Sequence, residues 1–198
     1  RGIMSGIEEA DTVSLDAHKL LYAPNCMGVC LFKDVQDSRL LYHTSNYIIR
    51  QGSVDQGRFT IEGSRSFACL KPWASLKILG KNGYKLIFEH ARDLQNTFTN
   101  LIKDDPLFEL MNKPELFIIN YRFVPEELKL KLDELMNSPK ENSEKITDIN
   151  KIINIINIEL HKTIREHDTS FVSRTKLEST RYSPRKAVVL RAITVNPN

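Results

Sequence analysis

No apolar run in this chain approaches the roughly 20 residues that a membrane-spanning helix requires, so no bilayer span is expected. Cysteine is scarce: Cys26, Cys30 and Cys69 are the three present. Their odd number argues against a disulfide scaffold, and they show no metal-ligand spacing. Both features fit a reducing, cytoplasmic compartment in which each thiol is by default a buried filler. Charge of one sign is concentrated nowhere. The net charge is only +3, and there is no basic patch interleaved with aromatics of the kind a nucleic-acid surface needs. There is no internal repeat. The opening Arg1-Gly2-Ile3-Met4 is neither a signal peptide nor an initiator methionine, so the natural N-terminus is expected upstream or removed.

What is present is ordinary for a soluble globular protein: 41% hydrophobic and 27% charged residues over 198 positions, enough for one good core or two small ones. Asp11–Leu15 alternates and reads as a short strand, and Met27–Phe32 reads as a buried one. Residues 35–61 turn polar without periodicity, a long loop of the kind that is usually functional or disordered. A helix is predicted to open at Gly63-Ser64-Arg65-Ser66, to be kinked or restarted by Pro72 and to stop at Gly80. Gly83–Lys103 is an amphipathic helix whose aromatic stripe reads as core.

Leu107–Met111 and Leu116–Val124 read as strands, the second apolar enough to be central. Pro125 starts a short helix to about Met136. Residues 137–143 form a polar linker, predicted to be the least ordered part of the chain. A helix runs from Ile146 to Glu166 with Ile146, Ile149, Ile152, Ile153, Ile156 and Leu160 apolar, and its richness in Ile and Asn reads as background bias. Phe171–Leu177 and Ala187–Val195 close the chain as strands. Strands and helices after Gly83 together predict an antiparallel sheet with helices on one face.

The chemically suggestive stretch is Ser14-Leu15-Asp16-Ala17-His18-Lys19, which brings a His-Lys pair to a strand end. A lysine among apolar neighbours and other cations loses its proton readily and can form a Schiff base with a carbonyl cofactor. On these residues alone, Lys19 could equally be one more solvated cation.

Asp16-Ala17-His18-Lys19 followed by Gly28-Val29-Cys30-Leu31-Phe32-Lys33-Asp34 resembles the cofactor-lysine segment of the group II pyridoxal 5'-phosphate (PLP) amino-acid decarboxylases. Thr60–Arg65, Leu116–Pro125 and Val188–Pro197 resemble the same family in the same order. Tyr47–Ser53 and Ser170–Thr175 are most similar to its bacterial aspartate 1-decarboxylase and glutamate decarboxylase branch. The resemblance covers nearly all of this chain but only about the C-terminal half of such an enzyme.

It implies an α/β protein of PLP fold type I. Residues 1–80 would be the end of the large, mostly parallel-sheet domain with its lysine and mobile loop, and 81–198 an α+β small domain with an antiparallel sheet. It implies that Lys19 holds PLP, that His18 contacts the cofactor's phosphate or ring vicinity, and that Asp16 either contacts the phosphate or, because a carboxylate repels it, anchors backbone. Ser64 would reach the neighbouring subunit's cofactor phosphate from a helix N-terminus, or act as a plain N-cap. Tyr47 is the implied loop proton donor, with Tyr42 the fallback and a surface tyrosine the bland alternative. Arg191 is the implied partner of the substrate α-carboxylate, for which a planar fork is well suited; an arginine in an apolar strand could instead serve a structural ion pair.

The family's ring cover, the aspartate paired with the pyridine nitrogen and most phosphate contacts lie upstream of the lysine and are not in this chain. The expected partners are therefore an N-terminal half, a second subunit in a homodimer and a small amino-acid substrate, with no nucleic acid and no membrane. The leading expectation is decarboxylation of aspartate or glutamate. The alternatives are a diaminobutyrate or aromatic amino-acid decarboxylase, a PLP aminotransferase, and a non-catalytic remnant that keeps the fold.

Overall fold

A computed structural model describes residues 2–167, 171–178 and 180–195. Ser170, Asn196 and Pro197 of the motifs above lie outside the described residues. The chain separates into two compact units, Arg1–Tyr84 and Lys85–Asn198, where the sequence placed a division after residue 80.

In the first unit, β1 (Thr12–Asp16) pairs antiparallel with β2 (Gly28–Phe32), from Thr12 opposite Phe32 to Asp16 opposite Gly28. Both strands form close to where the sequence places them, β1 running one residue further to Asp16. β2, expected to be buried, is mostly exposed, as are Cys30 on it and the other two thiols, Cys26 and Cys69, which were expected to be buried filler. The expected mostly parallel sheet does not form: among the described residues every strand pair is antiparallel. Parallel neighbours need a crossover, usually a helix, and the connection 17–27 contains only turns, so β2 returns directly alongside β1. Ala17, Ala23 and Met27 form a small buried cluster with Leu15, Leu21, Val29 and Ala68 around it.

The predicted loop 35–61 contains two 3-10 turns, Val35–Leu41 and Gln56–Phe59. Each is opened by an aspartate, as side-chain oxygens cap free N–H groups: Asp34 Oδ1 accepts from Gln36 N at 2.8 Å and Asp55 Oδ1 from Gly57 N at 3.3 Å.

Helix α1 spans Leu70–Asp104, so it begins well after Ser64, and the expectation of a helix opening at Gly63–Ser66 is corrected. Thr60 Oγ1 ties back to the carbonyls of Gly57 and Glu62 at 3.0 and 2.6 Å, which holds the approach to Gly63 in bends. Pro72 is the third residue of α1, where its missing N–H would have had no intrahelical acceptor, and it causes no kink. The break falls at Gly80, with φ 56 and ψ −174, a conformation open to a residue without Cβ.

The second unit is a four-stranded antiparallel sheet in the order β3-β4-β6-β5, as expected: β3 (Phe108–Leu110), β4 (Ile118–Phe123), β5 (Ser173–Leu177) and β6 (Ala187–Ile193). Residues of one strand alternate between the two faces. Ile119, Tyr121 and Leu190 therefore share one face, and with Ile102 they form a core packed by Phe98, Leu160 and Ile164. A second cluster joins Val124, Leu132 of α2 (Glu126–Leu135), Ile146 and Ile153 of α3 (Ser143–Glu166), and Tyr182. The linker between α2 and α3 is tied down by Asn142 Nδ2, which donates to the carbonyls of Leu135 and Ser138 at 3.3 and 3.2 Å.

The asparagines of α3 are not background. Pairing of β4 with β6 ends at Tyr121 opposite Leu190, and α3 supplies bonds to both strands near that point. Asn157 accepts from Phe123 N at 2.8 Å and donates to Phe123 O at 2.7 Å. Asn154 accepts from Val188 N at 2.8 Å and donates to Lys186 O at 3.0 Å. Asn150 accepts from Arg122 Nη1 at 2.8 Å.

Arg122, next to the C-terminal end of β4, is fully buried. Its Nε donates to Glu109 Oε2 at 2.8 Å, and its guanidinium lies 4.5 Å from the Tyr182 ring centroid. The Tyr182 hydroxyl donates to Glu109 Oε1 at 2.8 Å, and Arg181 reaches that same oxygen and Asp133, at 2.8 and 2.9 Å. Burial, helped by the Glu109 charge, pushes the Tyr182 hydroxyl up to about 12 from an ordinary 10.0.

Asn157→Ala leaves two backbone groups of Phe123 without these partners, at about 1–3 kcal/mol each. A fall in the urea midpoint with unchanged slope is expected, whereas exposed Asn100→Ala should shift stability by no more than about 0.5 kcal/mol. Tyr182 protonates more readily folded than unfolded, so its contribution is complete below pH 10 and disappears as pH rises towards about 12. Alkaline titration of stability should show that loss, and Tyr182→Phe should lack it.

Candidate functional site

β1 ends at Asp16 and the chain turns at once, with Lys19 N donating to Asp16 O at 3.0 Å and Ala23 N to Ala17 O at 3.1 Å. Ala17 points into the core. His18 and Lys19 follow on the turn, so the strand does deliver the pair to its end. His18 Nδ1 lies 2.7 Å from Met27 O and 3.1 Å from Met27 N. With a proton on Nδ1 the ring donates to that carbonyl, and in the neutral ring Nε2 keeps its lone pair.

The surroundings of Lys19 differ from the apolar, cationic setting expected of it. Its side chain is 66% exposed, and its ammonium donates to Asp16 Oδ2, on a carboxylate 47% exposed. The hydrogen bond and charge of Lys19 hold the Asp16 carboxyl below its ordinary value. Asp16, His18 and Lys19 are thus brought together on one turn.

Ser64 is exposed and lines an open cavity of about 720 Å³ in the first unit, with Gly28, Gly57, Arg65 and Cys69 also on its walls. His18 and Lys19 are not among the residues lining it. With α1 starting at Leu70, Ser64 is neither an N-cap nor at a helix N-terminus. A Cβ at Gly57 would lie 3.2 Å from Gly63 O, so a larger residue there would press on the Gly63 backbone.

Tyr47 is 82% exposed, midway along a turn in which Ser45 N donates to Ile49 O at 3.2 Å. Tyr42 is engaged in packing: its ring lies 5.8 Å from Phe59, and the Arg58 guanidinium sits 5.7 Å from its centroid. Arg58 was not singled out by sequence reasoning, because nothing in a polar loop marks one arginine as buried.

Arg191 sits in β6 of the second unit, opposite Asn120 of β4 and Ser173 of β5. It is half-buried, and among the described residues no carboxylate pairs with it. The structural ion pair expected of an arginine in an apolar strand belongs instead to Arg122.

A model of the pyridoxal-dependent decarboxylase conserved domain matches residues 1–124. The aspartate 1-decarboxylase of Aliivibrio fischeri is 36% identical over 198 residues, covering 100% of this chain and 35% of that protein. The aromatic-L-amino-acid decarboxylase of Bacillus atrophaeus is 25% identical, covering 98% of this chain and 36% of that protein. The chain thus spans about a third of the length of these relatives. Among solved structures, mouse CSAD aligns with a TM-score of 0.78 at 24% identity over 100% of this chain and 38% of its own. Tryptophan decarboxylase of Catharanthus roseus aligns at 0.67 and 18% identity over 98% of this chain and 34% of its own. At these identities the structures speak to fold alone, a mixed α/β fragment of the decarboxylase architecture. Because its domain model matches more than half of the sequence, this chain belongs to the pyridoxal-dependent decarboxylase family.

Proposed function

We propose that this chain is the C-terminal portion of a decarboxylase acting on aspartate or glutamate, in which Lys19 holds PLP and the working form is a homodimer that includes the family's N-terminal portion. The observation that carries the reading is the turn after β1, where an accessible lysine amine stands beside an imidazole fixed by its own backbone contact. Likeness to the Aliivibrio fischeri aspartate 1-decarboxylase along the whole chain favours an acidic substrate.

The residues present fit the group in chemical type: an exposed primary amine, a neighbouring imidazole and a guanidinium with no carboxylate partner among the described residues. PLP, when bound, supplies the electron sink for the pair left on Cα once carbon dioxide departs. Asp16 accepts the hydrogen bond of Lys19 Nζ, and the amine must leave that carboxylate and shed a proton before it can act as a nucleophile. His18, fixed through Nδ1, presents Nε2 towards a cofactor contact. Arg191 would take the α-carboxylate with two parallel N–H donors, fixing its orientation as a point charge could not. Tyr47 would return a proton from its hydroxyl to Cα, and Ser64 would contribute a phosphate contact to the neighbouring subunit.

The test uses the full-length protein. Borohydride reduction after loading with PLP should leave the cofactor mass on the peptide containing Lys19, and carbon dioxide should be released from aspartate or glutamate and not by Lys19→Ala. Cofactor mass on a different lysine, or carbon dioxide only from diaminobutyrate or aromatic acids, overturns the assignment. In Lys19→Ala the Asp16 carboxyl should titrate closer to the ordinary 3.8 than in the parent, read by carbon-13 NMR. The stabilisation from that pair is present above the ordinary value and lost as pH falls through the depressed one.

A further inference from the structure

Arg58 is a charged residue only 8% exposed, and among the described residues it has no carboxylate partner. Its donors go to backbone instead: Nε to Asp55 O at 3.0 Å and Nη2 to Arg50 O at 3.1 Å. Its own carbonyl accepts from His43 N at 3.0 Å. One residue therefore grips both ends of the segment 43–50, by main chain on one side and by guanidinium on the other. Within that segment Ser45 N closes onto Ile49 O at 3.2 Å, and Ile49 is buried at 3% exposure. Tyr47 lies between them, pointing to solvent at 82% exposure.

We infer that Arg58 is a positioning residue that clamps the base of the 43–50 turn and so sets where the Tyr47 hydroxyl stands. The inference rests on the proposed reading of Tyr47 as the proton donor. Removing a guanidinium from water without a carboxylate is unfavourable, and here the compensation comes from carbonyls belonging to two separate points of one loop. A proton donor must stand within hydrogen-bond reach of its target, and an error of about 1 Å in placing such a group can cost about a hundredfold in rate. A lysine at 58 carries a compact charge on a flexible stem and cannot reproduce a planar fork held between two carbonyls.

The experiment is made on the full-length, cofactor-loaded enzyme with Arg58→Met, Arg58→Lys, Tyr47→Phe and the double variant Tyr47→Phe/Arg58→Met. Chymotryptic cleavage after position 47 is measured beside kcat and KM. For Arg58→Met, kcat should fall about tenfold with KM within about threefold, cleavage should quicken several-fold, and Arg58→Lys should recover part of both. The double variant should lose no more activity than Tyr47→Phe alone, a result that general destabilisation would not give. If Arg58→Met does not fold, the same comparison is made with Arg58→Lys.

Parental kcat and cleavage in both Arg58 variants overturns the inference, as does a double variant in which the two losses multiply. If Tyr47→Phe keeps full activity, the proton-donor reading fails, and with it the catalytic half of the inference. The cleavage rates then separately decide whether Arg58 holds the loop.

Discussion

The His18 imidazole spans the connection between β1 and β2, its Nδ1 facing both the carbonyl and the amide of Met27. The candidate chemistry depends on that reach. This contact adds to the main-chain bonds from Lys19 to Asp16 and from Ala23 to Ala17 and to the Tyr84 hydroxyl, which donates to Leu21 O at 2.7 Å, in fixing a ribbon that in isolation would be marginal in water. With Ala17 and Met27 buried on the inner side, the ring is held from one edge, and its second nitrogen has no hydrogen-bond partner among the described residues. Lys19 follows on the next residue, where Asp16 Oδ2 accepts from its ammonium.

In the second unit the governing constraint is electrostatic. A guanidinium with no solvent exposure, Arg122, sits in the central strand and is answered by Glu109 from the neighbouring strand, Asn150 from α3 and the ring of Tyr182. Tyr182 belongs to the segment between β5 and β6, and its hydroxyl bond to Glu109 draws that segment onto the sheet. The α3 amides complete the arrangement by bonding backbone groups of β4 and β6. Arg191 is carried on a strand fixed by these polar groups as well as by the apolar core.

Much of this was legible in the residues. Apolar patterning located the six strands of the described residues and helix α3 to within a few positions, and a His-Lys pair at a strand end marked the candidate turn. What failed had physical causes. Pro72 looked like a kink because sequence alone did not reveal that α1 starts only two residues before it. Ser64 looked like a helix start because nothing in the sequence marks the local Thr60 side-chain bonds, to Gly57 O and Glu62 O, that hold the chain in bends there. Arg191 was the arginine considered for a structural ion pair, and that Arg122 holds one instead turns on Glu109, whose position opposite Arg122 is a matter of register. The asparagines of α3 fall at spacings of four and three, a single helical face, and that regularity was the signal passed over.

The buried Arg122–Glu109 pair also bears on how the two units respond to heat. Hydration of charged groups carries a strongly negative entropy, so stripping water from them becomes less unfavourable as temperature rises. For a core that includes such a pair, the cost of burying its charges therefore shrinks on warming, while the apolar contribution per unit area levels off. The ribbon unit, whose buried cluster is Ala17, Ala23 and Met27, has no buried ion pair among its described residues, so that temperature-dependent contribution is absent from it.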